Sequence, residues 1–322
     1  MAISLILIQI HNMASYTILG SGGIISNSLA AELIRNNETV KLVSRNPKQI
    51  PGATIQAADI TYLNQAIQAV EPSSLVFLCI GLKYDFSVWR EQWPKIMNNV
   101  IEACKQKKSK LIFFDNVYMY GKVEGPMTED CPYNPSSRKG DLRARIATQL
   151  MSEVRKGNIT ATIARAADFY GPGADKTAVL NLLVFANLAA HKKAQWMVND
   201  SAIHSFTYTP DAAKALYLLA KTEDSWNQVW HLPTTSNPFT GREYIRMIAD
   251  TLCAKPDYRI LHKWMIRLAG LFNRTVAELY EMAYQYEFDY LFDSSKFEKA
   301  FNYKPIPYAD GIKAVAETYK KP

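Results

Sequence analysis

Two cations, Lys139 and Arg143, stand four residues apart in the stretch PSSRKGDLRARI, where an amphipathic run begins. The first turn of a helix presents free N–H groups and prefers negative charge, and like charges at this spacing repel by ~0.2–0.5 kcal/mol. Either the pair is an ordinary solvated face, with Asp141 offsetting the cost, or it serves chemistry. A second candidate is GSGGIIS, in which Gly20, Gly22 and Gly23 lead into Ile24, Ile25 and Ser26 directly after a short apolar run. Glycines at a strand exit let the backbone approach a pyrophosphate, which then sits on the N-terminus of the following helix. The next apolar run ends in VSRNP. Where an NAD site places a carboxylate for the ribose hydroxyls, Ser44 and Arg45 offer a hydroxyl and a guanidinium suited to a 2′-phosphate. This favours NADP(H) over NAD(H), the alternative being a surface arginine after a turn. Asp59 either touches the adenine amine or caps the next helix. Ile60 and Gly81, past the third and fourth strands, complete the expected cofactor contacts.

These residues need a frame, and the hydropathy pattern supplies one. Short apolar runs at 16–19, 40–43, 53–57, 75–80, 110–114 and 160–164 alternate with helical stretches at 23–35, 63–70 and 87–105, and with one opening near Ser136. Continuous apolar strands joined by helical crossovers predict a parallel sheet covered on both faces, a doubly wound α/β (Rossmann) architecture. Past residue 165 the alternation loosens. Helices at 211–220 and 242–253, a strand at 229–232, an aromatic helical stretch at 264–286 and a closing helix at 308–320 predict a smaller C-terminal α/β lobe for substrate, with returns to the main sheet. The expected division is 13–165 for the dinucleotide domain and 166–322 for this lobe. Leu279, Met282, Ala283 and Tyr286 have the spacing of a core-facing helical stripe.

The chain has 322 residues, 48% hydrophobic, enough for a large core in one domain or two. Its formal net charge of +7 suits an anionic small molecule, though solubility alone would explain it. The basic residues are scattered rather than striped among aromatics, so no nucleic-acid partner is expected. Cys79, Cys104, Cys131 and Cys253 show neither metal-ligand spacing nor disulfide density. A reducing, cytoplasmic setting and no metal follow. Residues 1–12, MAISLILIQIHN, are too short to span a bilayer and lack the charge of a signal peptide. They read as an extension ahead of Met13, and no membrane partner is expected.

Further segments carry a resemblance: FFDNVYMYG (113–121), RAADFYGPG (165–173), HSFTYTPDAAKAL (204–216), VWHLPTTSNPFTGREYI (229–245) and FDSSKFEKAFNYKP (292–305). With GSGGIIS and in this order, they resemble the extended short-chain dehydrogenase/reductases, the NAD-dependent epimerase/dehydratase family, over nearly the whole chain. That resemblance implies a Ser or Thr, a Tyr and a Lys performing proton chemistry beside a nicotinamide, and a homodimer. The Ser/Thr position falls on Asn116. The Tyr and Lys positions fall on Lys139 and Arg143, so the opening cation pair occupies the catalytic slots of an atypical site.

A lysine replaces tyrosine as acid/base only if its pKa falls from near 10.4, and Arg143, a helix start and partial burial are expected to push it that way. The literal Y-x-x-x-K of Tyr118 and Lys122 lies on a loop, outside helical register, although Tyr118 or Tyr120 can still supply a phenol to the pocket. The resemblance puts His204 where nucleotide-sugar members carry a clamping Arg, and Asp168 where they carry Asn. His204 reads either as structural or as a ligand contact. Asp168 pairs with Lys139 or Arg143, bonds a substrate hydroxyl, or caps its loop. Lys83, Tyr118, Asp168 and His204 are the expected substrate contacts. The implied activity is NAD(P)-dependent hydride transfer to or from a carbonyl or hydroxyl of a small molecule. A nucleotide-sugar epimerase or dehydratase, and a non-catalytic NAD(P) sensor, are the alternatives.

Overall fold

The alternating pattern folds as expected in a computed structural model that describes residues 15–175 and 177–320; the expectations for residues 1–12 and Met13 lie outside them. The first half runs β1 (Ser15–Leu19), α1 (Ile24–Arg35), β2 (Thr39–Ser44), β3 (Ala53–Ala57), α2 (Leu63–Ala69), β4 (Leu75–Leu78), α3 (Phe86–Lys107), β5 (Lys110–Asp115), a 3-10 turn Tyr118–Tyr120, α4 (Arg138–Arg155) and β6 (Ala161–Arg165). The second half contains β7 (Asp168–Tyr170), a π-helical turn Asn181–Phe185 running into α5 (Ala186–Ala189), β8 (Ala194–Met197), β9 (Phe206–Tyr208) and α6 (Thr209–Lys221). It continues with β10 (Val229–His231), α7 (Gly241–Thr251), β11 (Tyr258–Leu261), α8 (Lys263–Gly270), α9 (Arg274–Met282), α10 (Ser295–Phe301) and α11 (Tyr308–Glu317).

Seven strands form one parallel sheet in the order β10-β6-β5-β4-β1-β2-β3. Strand alternation sends side chains to two cores. Val76, Leu78, Leu111, Phe113 and Ile163 pack on one face with α2, α3 and α4, while Ile18, Leu42, Phe77, Ile112 and Ala164 pack on the other with α1 and α6. Burial on both faces is why these strands read as continuous apolar runs. The chain order reverses between β1 and β4, a switch point that opens a crevice at the strands' C-terminal ends. The second half supplies β10 and α6 to this layer. α10 packs on the same core as α6, through Phe297 and Phe301 against Trp230. Other elements of this half build a third core around Phe185, Trp196, Tyr244 and Ile312, with two small sheets, β7–β9 and β8–β11.

The aromatic stretch at 264–286 is three pieces rather than one helix. Asn273 breaks it, its side chain accepting hydrogen bonds from Thr275 N and Val276 N to start α9. A 3-10 turn Ala283–Tyr286 ends it. Of the expected stripe, Met282, Ala283 and Tyr286 are buried and Leu279 is half-buried, but Ala283 and Tyr286 lie in the 3-10 turn rather than on one helical face.

Ser137 caps α4 by accepting a hydrogen bond from Gly140 N at 2.9 Å. Gly140 has no room for a side chain, because a Cβ there would lie 2.4 Å from the Tyr118 carbonyl oxygen. The first turn of α4 therefore touches the turn after β5, which aligns Lys139 and Arg143 with the strand ends. Gly140→Ala is expected to cost about 1–3 kcal/mol through this clash, read as a lowered urea midpoint at unchanged slope; an unshifted midpoint contradicts the contact.

Candidate active site

β1 leaves the sheet through Gly20, whose φ of +95° suits glycine and whose Cβ would stand 2.6 Å from Ile80 Cγ1. Gly20 N and Ser21 N both donate to Val43 O, at 2.9 and 3.1 Å, pinning the turn to β2. A Cβ at Gly22 or Gly81 would meet nothing within 4 Å, so backbone is presented to open space there. Gly23 begins α1 with no side-chain cap and no acidic residue in the first turn. The free N–H groups of a helix start are thereby left for an anion. Beside the turn, the hydroxyls of Ser21 and Ser44 are buried with no hydrogen-bond partner among the described residues. These features fit a dinucleotide: a cradle for pyrophosphate and unpaired hydroxyls on its flank. Arg45 is exposed next to Ser44. Asp59 does not cap α2, whose N-terminus at Tyr62 has no side-chain cap; its carboxylate accepts from Thr61 N and Oγ1 at 3.0 and 2.7 Å in the turn before the helix. Ile25 and Ile60 are buried, Ile24 is half-buried, and Lys83 is exposed.

At the other end of the crevice the cation pair is not a solvated face. Lys139 is 0% exposed and Arg143 3%. Lys139 Nζ donates to the Glu278 carboxylate, lies 3.2 Å from Glu281 Oε2 and sits 4.7 Å from the centre of the Tyr84 ring. Glu281 Oε1 in turn accepts from the backbone N–H groups of Arg138 and Lys139. One carboxylate of α9 thus satisfies the free end of α4 and complements its positive pole. Arg274, at the head of α9, pairs with Asp85 at 2.8 Å, the residue that caps α3. Lys139 and Arg143 do not share a partner, each facing carboxylates of its own. Arg143 Nε donates to Asp115 Oδ1 at 2.8 Å and its guanidinium stacks 4.3 Å over Trp93.

Asp115 also faces Arg165, which is fully buried with Nε 3.8 Å from Asp115 Oδ2. Arg165 Nη1 donates to Tyr120 Oη at 2.6 Å, and Tyr120 Oη lies 2.8 Å from His231 Nε2. His231 Nδ1 lies 2.8 Å from the Asp293 carbonyl oxygen, which only accepts, so Nδ1 carries the hydrogen and Nε2 accepts from Tyr120. Burial pushes the His231 pKa down to about 3. Tyr120, one of two expected pocket phenols, is thus fully buried with its hydroxyl engaged. Residue types alone did not single out Asp115, Arg165, His231, Glu278 or Glu281. The available signals were a lone arginine ending the apolar run at 160–164 and two glutamates at i, i+3 inside an aromatic stretch.

Asp168 pairs with neither Lys139 nor Arg143, contrary to one of its expected roles. Its Oδ2 accepts from Tyr286 Oη at 2.9 Å and lies 3.0 Å from His204 Nε2. His204 is 1% exposed, stacked between Tyr286 and Tyr290 with ring centres 4.3 and 4.4 Å away. That is the structural one of its two readings. Asn116 is half-buried; its Oδ1 accepts from Tyr118 N at 3.1 Å, and its amide nitrogen has no partner among the described residues. Tyr118 stacks on Trp89, half-buried at the strand ends. Burial raises its phenol pKa, as it does for Tyr84, and Tyr118 and Asp168 lie close enough to raise Tyr84 further. Lys122 stands over the Phe288 ring at 3.7 Å, away from any helical pairing with Tyr118.

A family model described as NAD dependent epimerase/dehydratase family matches residues 16–231. Among curated proteins, none matches the sequence. Solved structures similar in fold include UDP-glucose 4-epimerase of Thermus thermophilus in complex with NAD, 16% identical over 95% of this chain and 98% of that one, with a TM-score of 0.77. UDP-N-acetylglucosamine 4-epimerase of Bacillus cereus is 14% identical over 94% and 96%, with a TM-score of 0.75. A dTDP-glucose 4,6-dehydratase of Streptomyces venezuelae with NAD bound is 15% identical over 95% and 96%, at 0.76.

Removing the ammonium while leaving its two buried carboxylates is strongly unfavourable, so Lys139→Met is expected to cost about 3–5 kcal/mol. Adding Glu278→Gln and Glu281→Gln should recover much of that in urea unfolding, and strictly additive losses contradict the pairing. Neutral His231 contributes stability that is complete above its ordinary pKa of 6.5 and is lost as pH falls toward about 3. In that window His231→Gln should flatten the dependence of unfolding free energy on pH; an unchanged slope contradicts this origin.

Proposed function

The chain belongs to the NAD dependent epimerase/dehydratase family, and from that premise we propose that it is an NADP(H)-dependent oxidoreductase acting on a carbonyl or hydroxyl of a small molecule. The observation that carries this reading is the open glycine turn flanked by the unpartnered hydroxyls of Ser21 and Ser44, with Arg45 next in sequence and no carboxylate ending β2. The backbone at Gly22 and Gly23 and the N–H groups of Ile24 and Ile25 would hold the pyrophosphate, and Ser44 and Arg45 a 2′-phosphate. The nicotinamide, when bound, supplies or accepts the hydride. Asn116, through its amide nitrogen, would donate to the substrate oxygen. Tyr118, kept protonated by burial, would give that oxygen its proton. Lys83 and Asp168 border the substrate end, with His204 orienting Asp168. Lys139 and Arg143 act as positioning residues here: the hydrogens of Lys139 are spent on α9, and Arg143 braces Asp115 at the end of β5.

The nucleotide-sugar substrates named for the similar structures favour a second reading, an epimerase or dehydratase that recycles a tightly held NAD. Against it, His204 stands where the resemblance expects a phosphate-clamping arginine, and its ring is engaged with Asp168.

Fluorescence titration of NADPH and NADH separates the two. NADPH should bind more tightly and exchange freely, and Arg45→Ala should weaken it about 10- to 100-fold without affecting NADH. Purification with NAD retained, or tighter NADH binding, overturns the NADP(H) reading. Tyr118→Phe should lower kcat on a carbonyl substrate by ~10²–10⁴ with coenzyme affinity unchanged; full retained turnover removes the phenol from the mechanism.

A further inference from the structure

Among the described residues, the three most exposed large apolar side chains all lie on the α8–α9 hairpin: Phe272 at 88%, Leu271 at 75% and Trp264 at 65%. Leu268, at 53%, joins them. Trp264, Leu268 and Leu271 follow one helical face, with Arg267 beside them, while Ile266 points inward to the third core. None of the described residues covers this face, and it is not a slack loop. Asn273 caps α9, and a Cβ on Gly270 would stand 3.0 Å from Ala277 Cα, so the two helices cross closely. The carboxylates of Glu278 and Glu281 and the guanidinium of Arg274 then fasten α9 to the starts of α4 and α3. α9 is thus anchored to the body of the protein, and α8 packs against it with its apolar face outward.

Its charge is one-sided. Between Asp257 and Glu278 there is no acidic residue, while Arg259, Lys263, Arg267 and Arg274 are all basic. Lys263 pairs with Glu287 and Arg274 with Asp85; Arg259 and Arg267 are exposed with no carboxylate partner among the described residues. A tryptophan and a phenylalanine beside leucines, with arginines at the margin, is the composition of an element that lies in a bilayer interface. The surplus of unpaired arginine on a face without a carboxylate matches an anionic surface, which a second copy of the same basic face does not supply. No helix among the described residues is long and apolar enough to cross a membrane, and an element lying in the surface plane needs none.

We propose that the exposed face of the α8–α9 hairpin, Trp264, Leu268, Leu271 and Phe272 with Arg267 beside it, docks the protein on an anionic lipid surface. The test is co-sedimentation of the full chain with vesicles of phosphatidylcholine alone or mixed with phosphatidylglycerol. The wild type should pellet with the mixed vesicles and be released by salt. Trp264→Ser combined with Phe272→Ser should weaken this about tenfold or more. Arg267→Glu, a single exposed change that spares the apolar face, should weaken it too, so the test stands even if the double variant folds poorly. A wild type left in the supernatant with both vesicles overturns the proposal. So does a dimer, seen by sedimentation velocity, that the double variant abolishes, because the face then belongs to a second copy.

Discussion

Glu281 does two things at once: one oxygen receives the free N–H groups at the start of α4, and the other faces the Lys139 ammonium. With Glu278 it turns an unfavourable arrangement, adjacent cations at the positive end of a helix, into a buried and compensated one. The consequences spread outward. α9 is fixed across the starts of α3 and α4, the 3-10 turn Ala283–Tyr286 that follows it brings Tyr286 to Asp168, and the C-terminal lobe is registered on the sheet edge. Breaking the pair would leave a charge buried without its partner, which is why the arrangement is expected to persist as a unit.

A second buried charge system holds the strand ends. Asp115 lies between Arg143 and Arg165, and the latter continues through Tyr120 to His231 on β10. Four neighbouring elements, β5, α4, β6 and β10, are joined in this way below the crevice. Basic groups that family resemblance would offer to a substrate are consumed internally. Among the groups left partly exposed at the strand ends are the Asn116 amide and the Tyr118 phenol, while beside the glycine turn the hydroxyls of Ser21 and Ser44 have no partner among the described residues.

The fold was legible because strands buried on both faces leave unmistakable apolar runs, and the glycine turn because its chemistry is local to seven consecutive residues. That Lys139 and Arg143 open α4 beside the end of β5 was legible through the family resemblance, whereas their spacing alone read equally as a solvated face. Their partners were legible in neither. Glu278 and Glu281 lie far along the chain from Lys139, and nothing in a helix of mixed aromatics announces which distant charge it will meet. Asp115 and Arg165 were hidden by membership of strands read for hydropathy. The hairpin tip was overlooked for a different reason: a search for spanning segments does not register KWMIRLAGLFNR, which is short, basic and apolar on one face.

Amine labelling measures the sealed state of Lys139 most directly. Reductive methylation of the folded full chain, mapped residue by residue by mass spectrometry, should modify exposed Lys83 and Lys108 readily and leave Lys139 untouched until the protein is unfolded. Labelling of Lys139 in the native protein as fast as Lys83 would contradict the account, because its amine would then stand open to the crevice instead of anchoring α9.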